Sequence, residues 1–585
     1  MRRCHSRRRV SCLADCNCQG APEKIESMAG WKHPRILRGD LAGGLSATVV
    51  SLPLALAFGE LSGAGPVAGF YSAVCVGLGA ALFGGTPVQV AGPTGPTALV
   101  MVALFAQFVG EPGKAFTVVM LAGLFQILFG ALKMGRYISL LPYPVMSGWA
   151  SGIGCTIILM SLAPFSGLTL AMHPTTALGE LPEYLTETRA DTLLLGLGSL
   201  GLMLFCPKAL ARRFPPSLLS LILGTLAGAL WLTDAPTLGP TGSGWPDWQM
   251  PVFDLADINT MLFSALFIAL LGSIDSVLAS MAADHATQTF HDTERELIGQ
   301  GIGNLVAGFA GGIAGAGATL RTMTNVSAGG RTKWSAVICA LMMLAVVLTF
   351  GRLFAYIPAA VLSGVLIKIA IDTIDWRYLK RVRTAPRSGV LLMFTVMALT
   401  IVFNLVVAAA VGFVLASLMF VKRMADLQLE SVHAVDNPSG EPGLNAEESA
   451  MLQRLKGRAM LIRFSGPISF GAANRLHRRI SGYQDYDCVM LDLTEVPDVD
   501  SSATLALENI IVNSRKRDHI VILIGLSTSV ARTFARLGIL DLIREIERYP
   551  TRTDALRYAI ELLQPGPATG QGEQGRAPAR AGATK

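Results

Sequence analysis

The stretch Gly92-Pro93-Thr94-Gly95-Pro96 lies inside an otherwise apolar segment and decides how that segment can cross a membrane. Proline and glycine break a helix and release backbone hydrogen bonds, which lipid tolerates only where protein or a water-filled cavity satisfies the freed groups. A second break, Gly-Gly-Ile-Ala-Gly-Ala-Gly-Ala-Thr, spans residues 311–319. Two distant breaks in one polytopic chain predict the central binding site of a transporter. The alternative is that both stretches are glycines used for close helix packing.

The composition is that of an integral membrane protein. Hydrophobic residues make up 51% of the 585 residues and charged residues only 15%, whereas soluble proteins carry about 25% charge. The net charge of +7 does not indicate nucleic-acid binding, because the basic residues lie mostly between apolar segments and in the N-terminal arm. There they set the orientation in the membrane. The expected environment is therefore membrane lipid, with no nucleic-acid partner.

Fourteen apolar segments are predicted in the first two thirds of the chain. They lie near 40–59, 66–84, 92–108, 115–132, 139–163, 192–206, 217–232, 258–281, 297–312, 318–328, 334–350, 355–372, 388–403 and 404–421. The third and tenth are too short to span the hydrocarbon as unbroken helices. They occupy matching places in two halves of seven. This predicts a polytopic α-helical protein with a 7+7 inverted repeat, in which two broken helices meet at the midplane.

Charge in the loops predicts the orientation. Basic residues follow the fourth, sixth, tenth, twelfth and fourteenth segments, which places them on one side: Lys133, Arg136, Lys208, Arg212, Arg213, Arg331, Lys333, Arg377, Lys380, Arg381, Arg383, Arg387, Lys422 and Arg423. The opposite loops are acidic: Glu180, Glu183, Glu187, Asp191, Asp234, Asp247 and Asp254. Because basic loops stay inside, both termini are expected to be cytoplasmic, in a plasma (bacterial inner) membrane.

The chain divides into five predicted regions. These are a disordered basic arm (1–34, with Met28 as an alternative start), a transmembrane transport domain (35–424), a linker (425–454), an α/β domain (455–564) and a disordered tail (565–585). The α/β prediction rests on strands at 460–464, 488–493 and 520–524, which alternate with amphipathic helices near 470–482, 502–515, 528–536 and 551–563. A small α/β domain follows from this alternation, and the loop charges place it in the cytoplasm.

Several motifs together resemble the SulP family of anion transporters, and the soluble part resembles the STAS domain of that family. The motifs are Leu52–Phe58, Ser62–Gly69, Gly92–Pro96, Glu296–Asn304 and the stretch from Arg321 to Gly330. The resemblance covers roughly residues 35–565. It implies a gate domain that moves against a core domain, and a homodimer formed through the STAS domain.

Within the family, the chain is most similar to the BicA-type sodium-dependent bicarbonate transporters. The similarity rests on Pro53-Leu54-Ala55-Leu56, Leu271-Gly272-Ser273-Ile274-Asp275-Ser276 and Gly315-Ala316-Gly317-Ala318-Thr319. It implies sodium as the coupling ion, with no other cofactor. In that subgroup a threonine one turn after the aspartate helps to hold sodium, and this chain has Ala279 there. One oxygen ligand is therefore missing.

Asp275 also stands out physically, because it lies in the middle of the apolar stretch 262–281. A charge in a membrane segment is costly and is a functional-site hypothesis by default. A hard monovalent cation prefers oxygen ligands, which Asp275, Thr319 and the backbone of Gly317 and Ala318 are expected to supply. Two alternatives stay open, namely a structural cap or salt bridge and a site that takes up a proton during transport.

The anion is expected at the two breaks, since half-helix N-termini offer N–H groups and a partial positive charge. Thr94 and Gly95 are placed at one N-terminus, and Ala318 and Thr319 at the other. Arg321 is expected to add positive potential, or else to pair with an acid. Phe58 is expected to line the cavity, or else to belong to the core.

The α/β domain has one further motif, Asp498-Val499-Asp500-Ser501-Ser502, between a strand and a helix. It resembles a loop that is phosphorylated on serine, here Ser501, but a helix cap explains it equally well.

The function predicted from the whole sequence is sodium-coupled bicarbonate uptake by alternating access. The alternatives are proton-coupled sulfate or dicarboxylate transport, and a membrane-anchored STAS signalling protein that has lost transport. No phosphate-binding loop or nucleophile triad is recognisable in the sequence, so no enzyme is predicted.

Overall fold

The structure is a computed structural model that describes residues 34–138, 142–168, 174–207, 210, 214–239, 245–403, 405–430, 432–435, 444–455, 457–466, 468 and 486–563. The predicted N-terminal arm, the C-terminal tail and the predicted helix near 470–482 lie outside these residues. Contacts divide the chain into two compact units, Met1–Val414 and Leu415–Lys585.

The first half of the N-terminal unit is helical except for one short strand. Its elements are α1 (Pro34–Leu61), α2 (Pro66–Phe83), β1 (Ala91–Pro93), α3 (Gly95–Gln107), α4 (Pro112–Ala131), α5 (Gly135–Ile138), α6 (Tyr143–Ser166), α7 (Pro174–Gly179), α8 (Leu181–Thr186), α9 (Ala190–Phe205) and α10 (Pro216–Leu230).

The second half repeats this pattern, again with one short strand. Its elements are α11 (Ile258–Thr287), α12 (Thr293–Phe309), β2 (Gly315–Gly317), α13 (Thr319–Ser327), α14 (Lys333–Phe350), α15 (Ala359–Thr373), α16 (Trp376–Leu379), α17 (Arg387–Val402) and α18 (Leu405–Glu430). The last helix runs past residue 424, where the sequence placed the end of the membrane domain.

Each of the fourteen predicted segments falls on a helix of the described chain. Six of these helices are long and apolar enough to cross a membrane, and four more are apolar but shorter. The twelfth segment begins later than predicted, at Ala359, because Pro358 precedes it and residues 351–356 form a 3₁₀ turn. Proline fixes its own φ and has no N–H, so it is well suited to the start of a helix.

The membrane helices form two groups according to their contacts. One group contains α1 to α4 and α11 to α14, with both short strands, and the other contains α6, α9, α10, α15 and α17. The contacts between the groups run through α1 with α10 and α15, and through α3 with α6. This division agrees with the core and gate domains that the family resemblance implies.

Glycines let α12 pack tightly between α2 and α4. A Cβ added at Gly79 would collide with the backbone of Gly303, and one added at Gly299 would collide with Gly84. A Cβ at Gly123 would lie 2.5 Å from the Gly301 carbonyl oxygen. Small residues allow helix backbones to approach closely in membranes, where van der Waals contact replaces the hydrophobic effect between helices.

The C-terminal unit contains a five-stranded sheet in the order β3 (Val432–Val435), β4 (Ala459–Ser465), β5 (Cys488–Glu495), β6 (Ile520–Ile524) and β7 (Arg548–Tyr549). β3 is antiparallel to β4, and the other neighbours are parallel. The three predicted strands are confirmed. The two edge strands were missed, because they are short and lie outside the apolar runs.

Helices cover both faces of this sheet. α20 (Ser501–Lys516) and α21 (Thr528–Arg536) bury apolar side chains on one face. α19 (Ala446–Arg454) and α22 (Arg552–Leu563) cover the other. Asp500 caps α20 by accepting a 2.7 Å hydrogen bond from the Ala503 N–H, so the predicted cap is present. Ser501 is exposed, and its phosphorylation stays a prediction.

The glycine packing of α12 predicts an effect on stability. Gly123→Ala puts a methyl group against the backbone of Gly301 and Leu305, and overpacking of this kind costs about 1–3 kcal/mol. The apparent melting temperature of the purified protein should fall. Gly198→Ala is the matched control, since Gly198 lies in α9 with nothing within 4 Å of an added Cβ. Equal melting temperatures for the two variants would contradict the close-packing account.

Candidate functional site

The two breaks in the membrane unit meet as a short antiparallel ladder. Ala91 pairs with Gly317, Gly92 with Ala316 and Pro93 with Gly315. All six residues are buried. The sequence predicted two half-helices that meet directly, whereas each helix is preceded by an extended strand. This pairing satisfies backbone groups that lipid would leave without partners, and we call it the strand crossing.

Side chains from neighbouring helices complete the hydrogen bonding of the strand crossing. The Asn304 amide donates to the Gly315 carbonyl at 2.9 Å and accepts from the Gly315 N–H at 2.8 Å. The Gly317 N–H donates to Ser276 Oγ at 3.0 Å. Gln89 fills the space beside Gly317, where a Cβ would collide with its amide. The sequence analysis assigned no role to Asn304 or Gln89, although both are amides within an apolar region.

Asp275 lies on α11 next to the first break. It is half-buried, and the Thr94 hydroxyl donates to its Oδ2 at 3.1 Å. Thr94 is also the N-cap of α3, where its backbone N–H donates to Thr97 Oγ1 at 3.1 Å. The acid and the first break therefore belong to one site. The predicted role of Thr94 as an anion ligand stays a prediction, and its observed partner is the carboxylate.

The oxygen ligand missing at Ala279 is not replaced by its neighbours. Ala279 is fully buried. Ser276 Oγ donates to the Gly272 carbonyl at 2.7 Å and also accepts from Gly317. Ser280 Oγ donates to Gln89 Oε1 at 2.6 Å. Both hydroxyls are therefore already engaged, that of Ser276 with the second break and that of Ser280 with Gln89.

Of the two helices that follow the breaks, α13 has the more accessible N-terminus. Ala318 is half-buried and Thr319 is exposed. The Ala318 carbonyl accepts the first helical hydrogen bond of α13, from the Thr322 N–H at 2.9 Å. The N–H groups that precede this bond have no partner within the helix. Accessible N–H groups at a helix N-terminus are an anion-binding feature.

The first helix start is covered. A Cβ at Gly95 would lie 2.9 Å from Ile157 Cδ1 on α6 and 3.6 Å from the Phe58 ring. Phe58 itself is buried, which agrees with the core alternative. In this conformation α6 therefore packs directly against the start of α3, at the boundary between the two helical groups.

Arg321 lies beneath the strand crossing, where it is 1% exposed. Its Nη2 donates to the Pro93 carbonyl at 2.8 Å, while Nε and Nη1 have no partner among the described residues. The sequence left open that Arg321 pairs with an acid. In the described structure its hydrogen-bond partner is the Pro93 carbonyl instead. The guanidinium joins α13 to β1 and places a buried positive charge near both breaks.

The geometry as a whole combines one carboxylate, hydroxyl groups and two helix starts around one crossing. Among the described residues there is no cluster of three or more His, Cys, Asp or Glu that would hold a metal ion. A single carboxylate with neutral oxygens suits a monovalent cation better than a divalent one.

Comparisons with known proteins agree with this architecture. Residues 37–396 match the model of the sulfate permease family, and residues 451–555 match the STAS domain. "Bicarbonate transporter BicA" of Picosynechococcus sp. is 38% identical over 92% of this chain and 97% of its own length. The protein of the same name from Synechocystis sp. is 39% identical over 91% and 96%. "Putative sulfate transporter YvdB" of Bacillus subtilis is 28% identical over 86% and 93%.

Two solved structures are also similar. The transmembrane domain of a cyanobacterium bicarbonate transporter BicA matches with a TM-score of 0.61 and 42% identity, over 65% of this chain and 98% of that chain. Murine Slc26a9, an anion transporter in the inward-facing state, matches with a TM-score of 0.78 and 17% identity over 91% and 93%. The second similarity concerns the fold alone. The chain therefore belongs to the sulfate permease (SulP) family and is an integral membrane anion transporter with a C-terminal STAS domain.

Proposed function

We propose that this transporter takes up bicarbonate together with sodium. The observation that carries the proposal is the contact between the Asp275 carboxylate and the Thr94 hydroxyl at the strand crossing. The acid proposed to bind the cation thus lies beside one of the two helix starts proposed to bind the anion. The identity of 38–39% with two proteins named bicarbonate transporter supports the choice of anion.

Electrostatics explains why the two ions would travel together. An ionised Asp275 repels an anion at the neighbouring helix starts, and this repulsion is strong in a medium of low polarity. Sodium bound to Asp275, Thr319 and the backbone of Gly317 and Ala318 cancels the repulsion. Each ion then raises the affinity for the other by the same factor.

The division into two helical groups supports transport by alternating access. The binding groups belong to the group of α1 to α4 and α11 to α14, while α6 of the other group covers Gly95. Movement between the groups would uncover the first helix start and cover Thr319.

We further propose that both termini are cytoplasmic in an inner membrane. We also propose that the protein is a homodimer through its STAS domain, and that Arg321 adds positive potential to the anion site.

A second candidate is proton-coupled sulfate transport. The 28% identity with a putative sulfate transporter favours it, and so does Ala279, because a site with fewer oxygen ligands holds sodium less tightly. In this case Asp275 would carry a proton during transport.

Uptake measurements with an Asp275 variant test the proposal. Initial uptake of labelled bicarbonate and of labelled sulfate into proteoliposomes is measured with and without a sodium gradient. Sodium should accelerate bicarbonate uptake, and Asp275→Asn should abolish the acceleration while the purified protein elutes normally. Sulfate uptake driven by a proton gradient would favour the second candidate, and wild-type rates in the variant would remove Asp275 from the mechanism.

Restoring the missing oxygen should strengthen sodium binding. Ala279→Thr should lower the sodium concentration for half-maximal uptake by roughly tenfold, because a ligand to a charged group is worth about 1.5–3 kcal/mol. Ala279→Val has nearly the same shape without the oxygen and serves as the matched control. If both variants respond alike, or if neither shows sodium dependence, the coupling ion is not sodium at this position.

The role of Thr94 can be separated from that of an anion ligand. Thr94→Val removes the hydroxyl that donates to Asp275, so the sodium concentration for half-maximal uptake should rise by roughly tenfold. Thr94→Ser keeps the hydroxyl and should resemble the wild type. A rise in the bicarbonate requirement at saturating sodium, with no change in the sodium requirement, would instead make Thr94 an anion ligand.

A further inference from the structure

A cavity lies at the boundary between the two helical groups, away from the strand crossing. Its volume is about 330 Å³. It is lined by the last turn of α1, the last turns of α6 and the first turns of α15, with Glu60, Ser161, Pro164 and Ser363 as the residues of interest. No residue of α11, which carries Asp275, is among its lining residues. The cavity is therefore distinct from the site at the strand crossing.

Glu60 is the one charged side chain among the lining residues of this cavity. It is half-buried at the end of α1, and its carboxylate has no hydrogen-bond or ion-pair partner among the described residues. Glu60 lies in the last turn of the apolar helix α1, where its carboxylate is partly removed from water. A partner of opposite charge would stabilise the ionised form.

Two serine hydroxyls line the same cavity as the Glu60 carboxylate. Ser161 Oγ is fully buried and has no partner among the described residues. Ser363 Oγ donates to the Ala359 carbonyl at 3.0 Å, which leaves its lone pairs available.

The ends of two helices add to the negative potential. α1 ends at Leu61 and α6 ends at Ser166, so both have their C-terminal carbonyl groups in this region. Helix C-termini carry a partial negative charge that favours cations. α15 begins at Ala359, and its N-terminus favours the ionised form of Glu60.

We propose that the Glu60 cavity is a second binding site for a monovalent cation, with sodium as its occupant. One carboxylate and several neutral oxygens balance a single positive charge, whereas a divalent ion would leave an uncompensated charge in the membrane. Because α1 belongs to one helical group and α6 and α15 to the other, the cation bridges the two groups. The cation therefore binds to the conformation in which the two helical groups are closed around the Glu60 cavity, and its binding stabilises that conformation.

Direct sodium binding to the purified full-length protein tests the proposal. Radioactive sodium is titrated onto the wild type, Asp275→Asn, Glu60→Gln and the double variant. The Asp275→Asn variant should still bind sodium at the Glu60 cavity. The double variant, which also carries Glu60→Gln, should lose this binding. Ser161→Ala should weaken this remaining binding by roughly two- to tenfold, and Ser166→Ala is the matched control, a buried serine of the same helix outside the cavity lining.

The outcomes separate this site from the one at Asp275. Sodium binding that survives in Asp275→Asn and disappears in the double variant supports the Glu60 site whether or not Asp275 binds sodium. The proposal is overturned if Asp275→Asn abolishes all binding, or if the double variant binds as much as Asp275→Asn. It is also overturned if Glu60→Gln changes only the dependence of transport on external pH, which would make Glu60 a proton site. Normal elution and the Ser161→Ala result guard against misfolding of the Glu60 variant.

Discussion

The rest of the membrane unit depends on one constraint, that backbone N–H and C=O groups at membrane depth must find partners. Three residues from each break pair as β1 and β2, and Asn304, Ser276 and Arg321 supply hydrogen bonds around that pairing. The result is a rigid crossing from which two helices start. The groups that we propose as ion ligands are held in this way before any ion arrives, which would reduce the entropic cost of binding.

Charge in a membrane gives the second constraint. Asp275 at the crossing and Glu60 at the boundary between the helical groups are half-buried acids of the described membrane unit. Neither has a basic partner among the described residues, whereas the buried Lys114 is paired with Glu111, Asp254 and Asp257. A transported cation can neutralise an acid that has no basic partner in the fold. The position of such an acid therefore determines where cation binding can contribute free energy to transport.

Much of the architecture was predictable from the sequence, because hydropathy, Gly-Pro breaks and loop charge are local signals. The fourteen segments, both breaks and the three central strands of the STAS sheet are confirmed. The strand pairing, the role of Gln89 and the buried position of Arg321 were not predicted, because they depend on contacts between residues about 190 to 230 positions apart in the sequence. The bonds between Asn304 and Gly315, 11 positions further along the chain, were not predicted either, because they depend on how the chain turns after α12. The engagement of Thr94 with Asp275 is of the same kind: each residue was recognisable alone, and their contact was not.

The most direct test of the account is the rate of thiol labelling at Thr319→Cys, in a background with the nine native cysteines replaced. Thr319 is exposed beside the strand crossing, so labelling should be fast without ligands. Sodium and bicarbonate together should slow it, each should enhance the effect of the other, and Asp275→Asn should remove the effect of sodium. Labelling that is unchanged by both ions, or protection by sodium that persists in Asp275→Asn when Glu60→Gln is also present, would contradict a shared site at the crossing.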